Sequence, residues 1–271
     1  MSQAKATTQK QSSTFAWALV VIISAFVVAL VLFLFVFGNP KNFIDPETKH
    51  QPLPGNYLGI VYAGGFIVPI LITMLLTVFT FGIERFLTIN KAKGSGSLEK
   101  FLQVVKTKLH NGDINGALAE CQKQKGSVAN VVQAGLHKYQ EMEKNTEFTL
   151  EQKVQSIQQE VEEATSLELP SLQQNLPILA TIASIATLFA LLGTVIGMIK
   201  AFAALATTGN PDPAALAAGI SEALINTAIG IGTSAFSIMF YNYFTTMIDG
   251  LTYGIDEIGY SISQTFASTK K

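Results

Sequence analysis

No charged side chain occurs in the 31 residues from Leu169 to Ile199. Two further runs are equally bare, Phe15 to Gly38 over 24 residues and Asn56 to Ile83 over 28. A fourth stretch, Lys200 to Ile248, carries only Lys200, Asp212 and Glu222. A helix needs about 20 predominantly apolar residues to cross the hydrocarbon core of a bilayer. Four spans follow, over 15–38, 57–83, 176–206 and 213–245. The last two exceed the minimum by about ten residues, so they tilt or project beyond the membrane. Charged residues make up 14% of the chain, against roughly 25% in soluble domains, while the hydrophobic share of 49% is ordinary. With no period-two alternation in the sequence, the chain reads as an all-α polytopic membrane protein with a charged soluble part.

The first run follows Lys5 and Lys10, as a signal peptide would. It is longer than the usual apolar core of about 7–15 residues, and it ends in Phe37-Gly38-Asn39-Pro40, a poor cleavage site. It is read as a retained helix. Net charge is -1, which leaves no basic excess for nucleic acid phosphates. Cys121 is the only cysteine, and His50, His110 and His137 are scattered, so neither a disulfide nor a metal site is expected. No phosphate loop or nucleophile–base set is visible, so no cofactor and no enzyme chemistry are expected.

Eleven of the 18 Lys and Arg residues fall between Arg85 and Asn175. The positive-inside rule places this block in the cytoplasm. Four spans then put both termini on the same side, with the loops 39–56 and 207–212 opposite. Arg85, Lys91 and Lys93 begin the basic cluster. It serves as a topology signal, and contact with anionic headgroups is the other reading. Within the block, Leu98, Phe101, Val104, Val105 and Leu109 recur at helical spacing, and Asn111-Gly112-Asp113 stops them. Further helices are expected at Ile114–Cys121, at Val128–Tyr139 and from about Thr149, with Pro170 and Pro177 as possible kinks.

The two long spans read as a hairpin, joined through Thr207-Thr208-Gly209-Asn210-Pro211-Asp212-Pro213. Counting from a turn centred near 211, Thr194 and Thr227 share one depth, and Lys200 and Glu222 share another. Thr187, Ala190, Thr194, Gly197 and Ala201 form a stripe of small residues at steps of three and four, and Gly193 to Gly197 is a Gly-x-x-x-Gly. On the second span, Glu222, Asn226, Gly230, Thr233 and Ser237 share one side, with Thr227, Ser234 and Tyr241 beside it. Small residues and hydroxyls commonly glue membrane helices together. A glutamate inside a span is costlier, at about 2.5 to 3.5 kcal/mol, and signals an ion pair, a wet cavity or an ion path. Glu222 has two readings here: a titrating group on a proton path, or half of an ion pair with Lys200. Lys200 can also extend to the surface. Hydroxyls do not titrate near neutral pH, so a proton path needs a carboxylate, either Glu222 or one from a partner.

Leu191-Leu192-Gly193-Thr194-Val195-Ile196-Gly197-Met198 and Gly219-Ile220-Ser221-Glu222-Ala223-Leu224-Ile225-Asn226-Thr227-Ala228-Ile229-Gly230 resemble the two pore helices of the MotA/TolQ/ExbB proton channel family, ExbB above all. Glu84-Arg85-Phe86, Gly112-Asp113 with Ala117-Leu118-Ala119-Glu120-Cys121, and Ala134-Gly135-Leu136 extend the similarity over about 57–245. The resemblance implies a homopentamer in the bacterial inner membrane, around the single helices of an ExbD-like subunit that brings a protonatable Asp. It implies transfer of the proton motive force to a TonB-like protein that energises outer-membrane transport. Thr194 and Thr227 then face the Asp and Glu222 is the pore glutamate, with Thr187, Asn226, Thr233 and Ser234 as further lining. A TolQ-like subunit of the Tol-Pal envelope system and a non-conducting scaffold are the alternatives. The resulting layout is 1–56 for the tail, an extra span and its external segment, then 57–84 for a membrane helix. A helical cytoplasmic domain at 85–175, the pore hairpin at 176–245 and a cytoplasmic tail at 246–271 follow. Two features depart from the family: the added span 15–38, and Ala186-Thr187 where Ala-Pro is common.

Overall fold

The computed structural model describes residues 2–45, 51–206 and 212–269, with side chains from residue 16 onward. Most of the linker expected to turn the hairpin, 207–211, lies outside the described residues, as do Lys49 and His50. The helices are α1 (Ser2–Val31), α2 (Tyr57–Tyr62), α3 (Ile67–Lys93), α4 (Leu98–His110), α5 (Ile114–Gln124), α6 (Gly126–Lys144), α7 (Leu150–Gln173), α8 (Leu176–Leu205) and α9 (Pro213–Thr269). Leu32–Phe37 continue α1 as a π-helical turn. Four helical stretches are long and apolar enough to cross a membrane, and no strand occurs among the described residues beyond an isolated bridge, Phe43 to Pro52. The protein is an all-α polytopic membrane protein.

The chain divides into two compact units. The first comprises residues 1–82 and 177–241. Its core joins Ala29 of α1 to Val68 and Ile72 of α3, with Ile225 and Ile229 of α9 against them. Buried Ala18, Ala25 and Ala29 form a small-residue stripe that lets α1 lie close, while Val20, Ile23 and Phe35 stay exposed, as lipid-facing side chains do. Asn42 stitches the segment between α1 and α2 together. Its Nδ2 donates to the carbonyls of Val36 and Phe37 at 2.8 and 3.0 Å, closing the π-turn, and its Oδ1 accepts from Asn56 at 3.0 Å.

The charge-free run 57–83 is not one helix. It breaks at 63–66, between α2 and α3, where Gly65 has φ +74. That backbone conformation strains any residue with a Cβ.

The second unit comprises 83–176 and 242–271. Its core takes Leu102, Val105 and Leu109 from α4 and Ala117 and Cys121 from α5. Val131, Val132 and Leu136 come from α6, Ile157 from α7, and Ile258, Ile262 and Phe266 from α9. Asp113, expected as part of a stop, caps α5 by accepting from the Gly116 N–H at 2.8 Å. Thr149 and Gln152 form a reciprocal capping box that starts α7. Pro170 sits inside α7; the break falls at Gln174–Asn175, where Asn175 has φ 64. Beyond 245 the chain stays helical, because α9 continues to Thr269.

Candidate functional site

The site is built on the packing of α8 against α9. A Cβ added to Gly197 would stand 2.7 Å from the Ala223 backbone nitrogen, and one on Gly219 would stand 2.7 Å from that of Ala201. Gly230 and Gly193 are equally tight, against Ala190 and Asn226. The backbones therefore come close at Gly197, Gly219 and Gly230, and that closeness fixes the register in which polar groups meet.

Two polar levels result. At one, Thr194 Oγ1 and Thr227 Oγ1 lie 2.5 Å apart. Each also reaches a carbonyl of its own helix, Ala190 at 3.0 Å and Ala223 at 2.9 Å. Two hydroxyl protons cannot fill three such contacts at once, so the pair can rearrange without moving a heavy atom. Both threonines are half-buried, and exposed Leu191, Leu224 and Ile231 flank them at steps of three and four. The same face is thus an apolar wall interrupted by two hydroxyls.

At the second level, Lys200 Nζ donates to both carboxylate oxygens of Glu222, at 2.7 and 2.8 Å. Glu222 is buried, while the Lys200 side chain is 51% exposed. A buried carboxylate is tolerated when its partner is this close.

The other candidates divide. Thr187 is exposed, with only a long 3.5 Å contact to the Ala183 carbonyl. Thr233 is wholly buried and donates to Ile229 of its own helix at 2.8 Å. Ser234 donates across the seam to Ala183 at 2.5 Å, and Ser237 to Leu179 at 2.7 Å. These three hydroxyls are committed to backbone carbonyls. Asn226 is wholly buried and points to the break at 63–66 between α2 and α3, donating to the Gly64 carbonyl at 2.9 Å. Hydropathy does not register a break inside an apolar run; the signal was the Gly64-Gly65 pair.

Of the three basic residues, Lys91 and Lys93 are exposed. Arg85 is not; it is 1% exposed, so the reading as a headgroup contact is corrected for this residue. Its guanidinium donates to the Glu84 carboxylate and to the carbonyls of Ser171 and Leu172, at 3.2 and 3.3 Å. Those carbonyls end α7 and have no helical partner of their own. Thr88 and Asn175 complete the bonding of Glu84. A rigid fork of five donors suits this junction, which explains an arginine there. In the same unit, Cys121 is a buried core thiol, and burial pushes its pKa up to about 12.

The sequence pattern of the MotA/TolQ/ExbB proton channel family matches residues 123–257. The Tol-Pal system protein TolQ of Haemophilus influenzae is 38% identical over 88 residues, covering 32% of this chain and 39% of that protein. TolQ of Pseudomonas aeruginosa is 31% identical over 118 residues, 44% of this chain and 51% of its own. The biopolymer transport protein ExbB of Xanthomonas campestris is 29% identical over 112 residues, 41% and 44% respectively. The chain therefore spans about half or less of the length of these relatives, and the family pattern takes in all of α8 and most of α9.

Proposed function

We propose that this chain, a member of the MotA/TolQ/ExbB proton channel family, is the ring-forming subunit of an ExbB–ExbD–TonB-like motor in a bacterial inner membrane. The observation that carries the reading is the hydroxyl pair Thr194–Thr227, set in an otherwise apolar exposed face one level from the Lys200–Glu222 ion pair. An apolar wall holds back ions, and two rearrangeable hydroxyls can pass hydrogen bonds to a carboxylate facing them. That carboxylate is supplied by the single membrane helix of an ExbD-like partner. Its protonation removes the charge, which lets it cross the wall, and successive protonations turn partner against ring. The subunit assembles as a homopentamer, with both termini and the helical unit 83–176 in the cytoplasm. Work passes to a TonB-like protein that energises outer-membrane transport.

A second reading, a TolQ-like subunit of an envelope-maintenance system, is favoured by the TolQ relatives, which reach 38% and 31% identity. One experiment separates the readings: deletion of the chain in its native host, with receptor-dependent uptake and envelope integrity both measured. Loss of uptake with an intact envelope supports the ExbB-like motor. A leaky envelope with normal uptake supports the TolQ-like subunit. Purification without any single-helix partner, together with no effect on either function, would leave the scaffold reading.

A further inference from the structure

Asn226 is wholly buried, yet half of its amide has no partner. Its Nδ2 donates to the Gly64 carbonyl, which fixes the orientation of the amide. Its Oδ1 accepts no hydrogen bond from any described residue. A buried acceptor left alone is uncommon and unfavourable, so such an atom calls for an explanation. One turn earlier on the same face of α9, Glu222 lies against Gly65, where an added Cβ would stand 2.6 Å from Oε1. Gly64 and Gly65 are consecutive. The Asn226 amide and the Glu222 carboxyl therefore lie against consecutive residues of one short piece of backbone, from successive turns of α9. Gly65 has φ +74, and the missing side chain is what leaves room for the carboxyl.

The ionised carboxylate accepts from Lys200 and has nothing to donate. A protonated carboxyl loses the ion pair and gains one O–H donor, which needs an acceptor in a buried place. We propose that Asn226 Oδ1 is that acceptor, so that Glu222 alternates between Lys200 when ionised and Asn226 when neutral. This rests on the proton-channel reading above. In the step, the carboxylate takes one proton from a hydronium ion, the O–H bond forms, and Lys200 keeps its own proton and turns to water. In reverse, the proton leaves to water or to a carboxylate of the partner helix. No electrons move. Asn226 serves as a positioning residue that stabilises the neutral carboxyl.

The charged group facing Glu222 is Lys200, from α8. Residues 16–31 of α1, α2, and α3 up to Ile83 carry no charge. Tyr62 of α2 stacks on Phe33, and Tyr57 is exposed. Just before α9, Asp212 is occupied at the helix start, accepting from the Ala214 and Ala215 N–H groups.

The test is a pH titration of the reconstituted complex by infrared difference spectroscopy. The Glu222 carboxyl band is the one that disappears in Glu222→Gln. In Asn226→Leu the midpoint of that band falls by about one pH unit, a tenfold loss of proton affinity for one missing hydrogen bond. In Lys200→Met the midpoint rises, because the ionised form loses its partner. An unchanged midpoint in Asn226→Leu overturns the proposal. If that variant fails to assemble, the wild type and Lys200→Met decide: absence of a Glu222 band, or a midpoint unmoved by Lys200→Met, also overturns it. Those results leave the channel reading intact as long as the wild-type complex conducts protons; a complex that conducts none overturns that reading instead.

Discussion

At the scale of single residues, three positions have roles that their surroundings dictate. Arg85 neutralises Glu84 and closes the carbonyl end of α7. Arg85→Met leaves the carboxylate and two carbonyls short of donors, and the cost is about 3 kcal/mol, read as a lower thermal midpoint. Arg85→Lys recovers only part, since one ammonium lacks the fork geometry. Gly65→Ala places a methyl in a left-handed backbone position, about 1–2 kcal/mol, and forces the Glu222 carboxyl to move. Cys121 gives a pH dependence. Its folded pKa of about 12 lies above the unfolded value of 9.0, so the neutral buried thiol contributes full stability below pH 9. That contribution fades as the pH rises from 9 towards 12, because only the unfolded thiol ionises there. Thermal melts across this range should show an alkaline decline that Cys121→Ala reduces. Thiol reagents at neutral pH should label Cys121 only after unfolding.

At the scale of elements, the α8–α9 seam carries the design. Gly219→Ala pushes a methyl into the Ala201 backbone at 2.7 Å, which cannot give way as a flexible side chain would. We expect about 1–3 kcal/mol of destabilisation and loss of the Thr194–Thr227 contact, detectable as failure of a Thr194→Cys/Thr227→Cys pair to crosslink in the Gly219→Ala background. Much of this element level was legible in the sequence. Counting outward from one turn put Thr194 opposite Thr227 and Lys200 opposite Glu222, because two helices with the same rise keep depth in step. Periodicity marked α4 and α5, and Asn111-Gly112 marked the gap between them. The break at 63–66 was not legible, because hydropathy averages over a glycine pair as though it were any apolar stretch. The target of Asn226 was hidden for the same reason, since it bonds to a carbonyl that only the break exposes. Arg85 misled because its charge suggests a surface, while its geometry suits a buried helix end.

At the scale of the whole molecule, nearly charge-free spans alternate with a helical unit of ordinary charge. The positive-inside argument predicts that cysteines introduced at residues 3 and 268 in a Cys121→Ala background react with a membrane-impermeant reagent only in inverted vesicles. One introduced at residue 44 should react in intact spheroplasts. Reaction of all three from the same side would overturn the four-span topology. The central claim is that the hydroxyl pair of the hairpin serves a proton path. It is tested most directly by proton flux through the complex, reconstituted with its partner in liposomes under an imposed potential. The account predicts that Thr194→Ala with Thr227→Val lowers flux about tenfold or more while the complex keeps its native mass, as expected for loss of a hydrogen bond in the path. Undiminished flux in that double variant would contradict it.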